Sequence, residues 1–210
     1  MSTWGTILAD IRTDLKDTGT TQKFSDGALY LWAKDGIRDY SLHFPIVKYA
    51  VKLTLTDGSY ALPGDHISIL SVECPATRFL DKRLERPSPS TETNPTQYAV
   101  SQGRLYLNVS SADAVLLNYE ATHPLPTSET DLTFTLTIPV GDEELLRIYV
   151  KAKANEQLRT QQSSLDRFKL GSGDRQDNPL EPEVEGLMRA YYSKIAERQG
   201  GRTIFLHRRR

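Results

Sequence analysis

The spacing of apolar residues changes twice along this chain, from a helical period to strand alternation and back. In residues 1–45 apolar residues recur every three or four positions, from about residue 46 they alternate with polar ones, and the helical period returns at Asp142. Two isolated helices bury their apolar stripes poorly, so the first pair must pack on the second. The sequence therefore predicts an α+β fold. A four-helix bundle of residues 1–45 and 140–200 carries a β-rich insertion at 46–139, a sandwich or a small barrel, between helices two and three.

The first two helices carry start signals. Ser2 or Thr3 is suited to cap the first helix, because their hydroxyls accept a hydrogen bond from a free backbone N–H. The second helix is predicted to begin at Ser25. Phe24 and Leu29, on either side of that cap, have the spacing of a hydrophobic staple.

Acidic residues and a proline indicate where the last two helices start, and two glycines indicate where the fourth ends. The third begins at the acidic residues 142–144, which the helix dipole favours in a first turn. The fourth starts near Pro182 and is predicted to end at Gly200-Gly201. Tyr191 and Tyr192 point to different sides of this helix, so we expect one in the core and the other on the surface.

Three residues of the helical stripes are interpreted as packing residues. Trp4 and Trp32 fit the stripes and are assigned to the core rather than to a ligand platform. Gly36 costs about 1 kcal/mol of helix stability relative to alanine, but it permits another helix to approach closely.

A proline-rich stretch interrupts the alternating part of the chain. Pro87, Pro89 and Pro95 bracket serine, threonine and asparagine, which predicts a long exposed loop, either a connector or a contact for another protein. The mixed-charge run 78–86 before it indicates a solvated face or a salt-bridge surface between subunits. Five strands are predicted, at 47–55, 67–72, 98–100, 105–109 and 115–119, and a last extended segment at 132–138 is a candidate sixth.

The last nine residues place three adjacent apolar side chains beside three terminal arginines. Four arginines give residues 202–210 a charge of +4, whereas the chain as a whole carries −1. A segment this short cannot bury its own apolar side chains, each of which contributes about 1.5–3 kcal/mol when buried. We expect residues 201–210 to be an extended tail that docks in a groove of another molecule. A nucleic-acid contact and an inert end are the alternatives. The candidate docking residues are Arg202, Ile204, Phe205, Leu206, Arg208, Arg209 and Arg210.

The sequence carries no pattern typical of a catalytic, cofactor or metal site. The single cysteine, Cys74, excludes an internal disulfide and a cysteine-cage metal site. The four histidines lack metal-ligand spacing, and no Gly-x-Ser-x-Gly elbow occurs. Apolar runs are far shorter than the roughly 20 residues that cross a bilayer. We therefore expect a structural protein with no catalytic residues, no cofactor, no bound metal and no membrane partner.

In their order, the segments of this chain resemble the head-to-tail connector (adaptor) proteins of tailed bacteriophages. The resemblance covers nearly the whole chain and depends on the succession of segments, since no single motif is specific. The segments are Phe24-Ser25-Asp26 with the helix 31–37, Tyr60-Ala61-Leu62-Pro63 with Asp65 and the strand 67–72, the ladder 98–100, 105–107 and 116–119, Ile138-Pro139-Val140, Tyr149-Val150-Lys151, and a tyrosine-bearing last helix before an arginine-rich end.

The resemblance implies a homo-oligomeric ring, usually of twelve copies, below the portal protein of a DNA-filled head. Such a ring extends the channel for passing double-stranded DNA, without sequence-specific binding, and supports the next tail, stopper or nozzle protein. The protein is then made in the host bacterial cytoplasm and resides in the neck of the virion. The tail would reach into the portal. The residues assigned to the downstream contact are Arg86, Pro87, Pro89 and Asn94.

Two other classes of function remain alternatives. One is a carbohydrate- or peptide-binding module, which exposed aromatic residues clustered on one β-face would favour. The other is a DNA-associated packaging protein, which a steep salt dependence of DNA binding would favour.

Overall fold

A computed structural model describes residues 1–56, 58–88, 94–109, 114–169 and 180–207, without the side chains of 162–169, 180–181 and 201–207. Over these residues the fold is α+β, with four α-helices and two β-sheets. The helices are α1 (Trp4–Asp14), α2 (Asp26–His43), α3 (Glu143–Lys169), which follows a 3-10 turn at Val140–Asp142, and α4 (Leu180–His207). The strands are β1 (Ile46–Lys52), β2 (Leu55–Thr56), β3 (Ser59–Ala61), β4 (His66–Glu73), β5 (Asp81–Arg83), β6 (Gln97–Ser101), β7 (Arg104–Leu107) and β8 (Leu116–Ala121).

The chain divides into two compact units. The helical unit comprises residues 1–43 and 123–210 and contains the four helices. The β unit comprises residues 44–122 and contains the eight described strands. The predicted insertion extended to residue 139, whereas the structure assigns residues 123–139 to the helical unit.

Residues 132–138, the extended segment that was the candidate sixth strand, form no strand of a sheet. The backbone N–H of Trp4 donates to the carbonyl of Phe134 at 2.8 Å, and the N–H of Leu136 donates to the carbonyl of Ser2 at 3.0 Å. This segment therefore runs beside the start of α1, where Leu136 is buried. Apolar residues alternate in this segment because one of its sides is buried against a helix. The same alternation in sequence would result from burial in a sheet, so the pattern does not distinguish the two.

The starts of α1 and α2 follow the sequence prediction. The Oγ1 of Thr3 accepts the backbone N–H three residues later at 3.3 Å, and the Oγ of Ser25 accepts the corresponding N–H at 3.2 Å. These bonds satisfy donors that the helix itself leaves free. Phe24 and Leu29 are both buried, as expected for a hydrophobic staple.

Helix α3 packs against each of the other three helices. Its contact with α2 is close at Gly36, where an added Cβ would lie 2.9 Å from Leu146 Cδ1 and 3.0 Å from Tyr149 Cδ1. The glycine thus has the packing role that its place in the stripe predicts. The largest fully buried side chains of this unit are Trp4, Ile7, Ile11, Leu29, Ile37, Leu136, Ile138, Leu145 and Tyr191.

A buried ionic network joins the end of α1 to the start of α2. The guanidinium of Arg12 donates to Asp17 Oδ2 at 2.8 Å, to the carbonyl of Phe24 at 3.3 Å, and to Asp26. Asp17 is 2% exposed and also accepts the backbone N–H of Lys23 at 2.6 Å. The loop between the helices is therefore held by charge-assisted hydrogen bonds, which are stronger than neutral ones.

The β unit contains two open sheets that share one apolar core. The three-stranded antiparallel sheet has the order β1-β8-β4, and the five-stranded sheet has the order β2-β3-β7-β6-β5, with β5 parallel to β6. Both sheets have edge strands, so neither closes on itself into a barrel. Side chains of both form the shared cluster, which includes Tyr60, Val72, Tyr98, Leu105, Leu107, Leu117, Tyr119 and Ala121.

The predicted strand at 47–55 is divided in the structure. Strand β1 ends at Lys52, and β2 belongs to the other sheet. A bulge interrupts the pairing of β1 with β8 where Ala50 has a φ of 52°, and the N–H of this residue donates to Asn118 Oδ1 at 2.7 Å. Most of β1 is exposed, and Tyr49 is 72% exposed rather than half-buried. The bulge changes which side chains face the core, because the alternation is broken there.

Candidate functional site

The C-terminal segment continues α4 as a helix through His207. The prediction that the helix ends at Gly200-Gly201 was wrong, and so was the extended conformation expected after it. Each glycine costs about 1 kcal/mol relative to alanine but does not break a helix, and no proline follows. Residues 202–207 therefore span about 9 Å, instead of about 20 Å as an extended chain.

The candidate docking residues differ in what the structure describes of them. Arg202, Ile204, Phe205 and Leu206 belong to the last turns of α4, and their side chains lie outside the description. Arg208, Arg209 and Arg210 lie beyond the described residues. What the structure describes in detail is the preceding part of α4, which holds this segment in place.

Helix α4 is anchored by polar contacts up to the residue before its glycines. The hydroxyl of Tyr191 donates to Asp39 Oδ2 at 2.7 Å, and Lys194 Nζ lies 2.5 Å from Glu144 Oε1. One turn later Arg198 pairs with Asp142. Gln199 Nε2 lies 3.2 Å from Nδ1 of His43, the last residue of α2. These contacts fix α4 to the end of α2 and the start of α3, so they orient the helix end that follows.

The two adjacent tyrosines of α4 have the opposite environments that the sequence predicts. Tyr191 is fully buried, and Tyr192 is 47% exposed. Burial, followed by the hydrogen bond to Asp39, raises the pKa of Tyr191 far above its ordinary value. Tyr191 therefore stays protonated and acts as a hydrogen-bond donor in the core.

The predicted downstream-contact residues lie around β5 and the loop after it. Arg86 is exposed, and its Cζ lies 4.4 Å from the centroid of the Tyr106 ring, a cation–π contact. Pro87 is half-buried and Asn94 is exposed. Pro89 lies outside the described residues. Arg86 and Pro87 line one open depression of about 530 Å³ on the β unit.

The mixed-charge run 78–86 forms no ion pair with any other residue whose side chain the structure describes. Lys82, Arg83 and Glu85 are all exposed, and the ion pairs found elsewhere in the described chain do not involve them. Within one subunit the run is therefore a solvent-exposed face, and its role as a salt-bridge surface between subunits stays the alternative prediction. Its charges are available to another molecule.

Two basic residues of α3, Arg147 and Lys153, are paired with carboxylates, so the basic surface along the described part of the helix is partly neutralised. Lys153 Nζ is 2.9 Å from Glu156 Oε2, and Arg147 is 3.3 Å from Asp14 Oδ2. Lys151 lines a depression of about 290 Å³ that also contains carboxylates. This mixed surface is unlike the basic surfaces that bind DNA tightly.

One polar cluster of the β unit was missed from the sequence. Lys48 Nζ lies 2.6 Å from Asp65 Oδ2, and the hydroxyl of Tyr119 donates to Asp65 Oδ1 at 3.1 Å. Partial burial opposes ionisation of Asp65, but the bonds from Lys48 and Tyr119 outweigh it and lower its pKa. The cluster ties β1 and β8 to the turn before β4. No sequence spacing could have indicated it, because the three residues are far apart in the chain.

The described residues contain no group of three or more histidine, cysteine, aspartate or glutamate side chains that could hold a metal ion. Two histidines are engaged in local contacts: His66 Nδ1 is 2.9 Å from the carbonyl of Pro63, and His123 Nδ1 is 2.7 Å from Thr137 Oγ1. Cys74 is buried. None of the helices, over the part of the chain that the structure describes, is long and apolar enough to cross a membrane.

Two aromatic side chains of the β unit are largely exposed over the part of the chain that the structure describes. Tyr60, Tyr98 and Tyr119 are buried in the shared core, whereas Tyr49 and Phe79 are exposed. Tyr49 lies on β1 of the three-stranded sheet, and Phe79 precedes β5 of the five-stranded sheet.

The comparison with known families covers most of the chain. A family model described as SU10 adaptor protein matches residues 2–183. The matched range includes residues of both units and ends within α4, so residues 184–210 lie beyond it. No curated protein matches the chain.

Proposed function

This chain belongs to the SU10 adaptor protein family, a family of phage adaptors, and we propose that it forms a ring below the portal of a phage head. As an adaptor, the protein has a structural role between head and tail and is a virion component. The ring contains twelve copies, extends the DNA channel, and lets double-stranded DNA pass without sequence-specific binding. The observation that carries this proposal is the family match, which extends over residues of both units.

In the ring, the helical unit supplies contacts between copies, with its helices arranged as a four-helix bundle. Support comes from the outer face of α2, where Leu31 is 58% and Leu42 is 65% exposed. Asp35 and Arg38, which lie between them at helical spacing, pair at 3.4 Å. Exposed leucines beside an ion pair are suited to a protein contact. A closed ring multiplies such contacts by avidity.

The C-terminal end of α4 docks in grooves of the portal protein. The residues assigned to this contact are those predicted from the sequence, Arg202, Ile204, Phe205, Leu206, Arg208, Arg209 and Arg210. Two observations support it: the anchored α4 presents a helical segment up to His207, and the apolar run is flanked by cations that carboxylates of a partner would pair. The next tail, stopper or nozzle protein contacts the residues assigned to the downstream contact, Arg86, Pro87, Pro89 and Asn94.

Cryo-electron microscopy of this protein mixed with the portal protein of the same phage tests the proposal. We expect a ring of twelve subunits with residues 203–210 ordered in portal grooves. Deletion of 203–210 should abolish attachment and lower the helical circular dichroism signal only by the share of residues 203–207, because these residues follow the last anchoring contact of α4 among the described side chains. Bare portals beside free full-length subunits would contradict the ring, and unchanged attachment of the truncated protein would contradict the docking role.

A further inference from the structure

The surface next to strand β5 combines basic side chains with an exposed apolar one. We define the β5 patch as Lys82, Arg83, Leu84, Glu85, Arg86 and Pro87, which with Gln97 line the open depression of about 530 Å³. Three bases and one acid give the patch a charge of +2, although the chain as a whole carries −1. Because these charges form no ion pairs with described side chains, the potential of the patch is not neutralised within the subunit.

Leu84 is the most exposed large apolar residue of the described chain, at 97%. A leucine in this position contributes nothing to the core of its own subunit. A partner that covered it would remove nearly all of its surface from water, which is the driving force of apolar contacts. The patch therefore provides an apolar anchor surrounded by cations.

One of these cations is held in place before any partner binds. The guanidinium of Arg86 lies over the Tyr106 ring, and stacking leaves its N–H groups free to bond carboxylate oxygens in the guanidinium plane. A side chain that is already ordered loses less entropy on binding than a free one. Arg86 is thus prepared for a carboxylate.

Strand β5 also offers an edge for backbone pairing. Over Asp81–Arg83 it pairs, among the described strands, only with β6, and the N–H of Asp81 donates to the carbonyl of Thr96 at 2.9 Å, toward that neighbour. The N–H of the preceding Leu80 donates to the carbonyl of Val72 in β4 at 2.9 Å, so the edge opposite β6 is open only from Lys82 onward. Since successive residues of a strand alternate in direction, the backbone N–H and carbonyl of Lys82 face the free edge. An extended segment of another protein can pair there.

We propose that the β5 patch binds an extended acidic segment of the downstream virion protein, with an apolar side chain of that segment packed on Leu84. This inference rests on the proposed adaptor function and states the chemistry of its downstream partner. Nucleic acid fits the patch less well, because Leu84 has no role at a phosphate and the carboxylates of Asp81 and Glu85 repel one. A neutral or basic partner would leave the patch charges unpaired.

The test places the photo-crosslinking residue p-benzoylphenylalanine at position Leu84 in phage particles complemented with the full-length protein. Irradiation should join this position to a tail, stopper or nozzle protein, and mass spectrometry should locate the joined peptide in a segment of net negative charge with an apolar residue. Crosslinks to DNA, to another copy of this chain or to a basic segment, or no crosslink at all, would overturn the inference. Absence of the protein from the particles would instead contradict the proposed function.

Charge reversal provides the second measurement. Lys82→Glu/Arg83→Glu should lower the crosslink yield at least tenfold. Lys16→Glu/Lys23→Glu, at exposed lysines of the helical unit, changes the net charge equally and should leave the yield within twofold. Equal losses in both double variants would show that overall charge governs the yield, and would overturn the assignment to this patch. Both variants should bind the portal like the wild type, which separates this contact from portal docking.

Discussion

The hydroxyl of Tyr191 donates a hydrogen bond to Asp39 Oδ2 at 2.7 Å and thereby joins α4 to α2 in the core of the helical unit. Asp39 also lies 3.9 Å from His43 Nε2. Tyr191 contacts the ring of Tyr149 on α3 edge-on, with centroids 5.4 Å apart. One side chain therefore connects three helices just before the segment that we assign to portal docking.

Removal of this hydroxyl should weaken the attachment of α4. Tyr191→Phe keeps the ring but leaves a carboxylate without its buried donor, so we expect a loss of about 1–2 kcal/mol in the free energy of unfolding, measured with urea. Tyr192→Phe removes a hydroxyl from the exposed neighbour and should change stability by less than about 0.5 kcal/mol. Equal effects of the two variants would argue against a specific role of the Tyr191 bond.

Two glycine-to-alanine substitutions should have opposite signs. Gly36→Ala places a methyl group within about 3 Å of Leu146 and Tyr149, and overpacking of this kind costs about 1–3 kcal/mol, more than the helix propensity gained. At Gly186 nothing lies within 4 Å, so Gly186→Ala should stabilise by about 0.5–1 kcal/mol. Thermal unfolding followed by circular dichroism compares them. A stable Gly36→Ala protein would show that α2 and α3 separate at little cost.

The buried network at Arg12 should be among the most sensitive positions of the helical unit. Arg12→Leu leaves Asp17 buried without its cation, which costs about 3–5 kcal/mol. The double variant Arg12→Leu/Asp17→Asn removes the isolated charge and should recover part of that loss, as measured by chemical denaturation. Lys23→Leu changes an exposed charge nearby and should be nearly neutral. A double variant no more stable than Arg12→Leu would contradict this account.

The Lys48–Asp65 pair should make stability depend on pH at both extremes. The pKa of Asp65 is lowered from its ordinary 3.8, so its contribution is complete above that value and is lost as the pH falls below it. The pKa of Lys48 is raised from 10.5, mainly by the hydrogen bond to Asp65, so its contribution is lost only as the pH rises above that value.

Asp65→Asn should therefore cost about 0.5–1 kcal/mol at pH 7, a small value because both side chains are partly exposed, and the difference from the wild type should shrink toward pH 3. Unfolding with urea at several pH values measures it. Asp10→Asn, at a carboxylate without an ion pair among the described side chains, serves as the control. If the stability difference between Asp65→Asn and the wild type grew as the pH fell, the result would contradict a stabilising role of the ionised Asp65.

The helix starts could be predicted because capping is local. The bonds at Thr3 and Ser25 involve residues three positions apart, and Gly36 lies in an apolar stripe that identifies it as a contact point. The candidate sites were predictable only in part. The role of Arg86 as a contact for another protein stays a prediction. Its contact with Tyr106 joins residues of β7 and of the loop after β5, and no periodicity indicates such a pair.

The sequence by itself determined the order of two helices, a β-rich region and two further helices, the helix caps and the resemblance to phage adaptors, because these depend on neighbours in the chain. Tertiary structure decided what depends on distant partners. It placed 132–138 beside α1 instead of in a sheet, divided the strand at 47–55, buried Tyr191 rather than Tyr192, and paired Arg12 with Asp17. Alternation reports that one side of a segment is buried, and only the assembled fold determines which surface buries it.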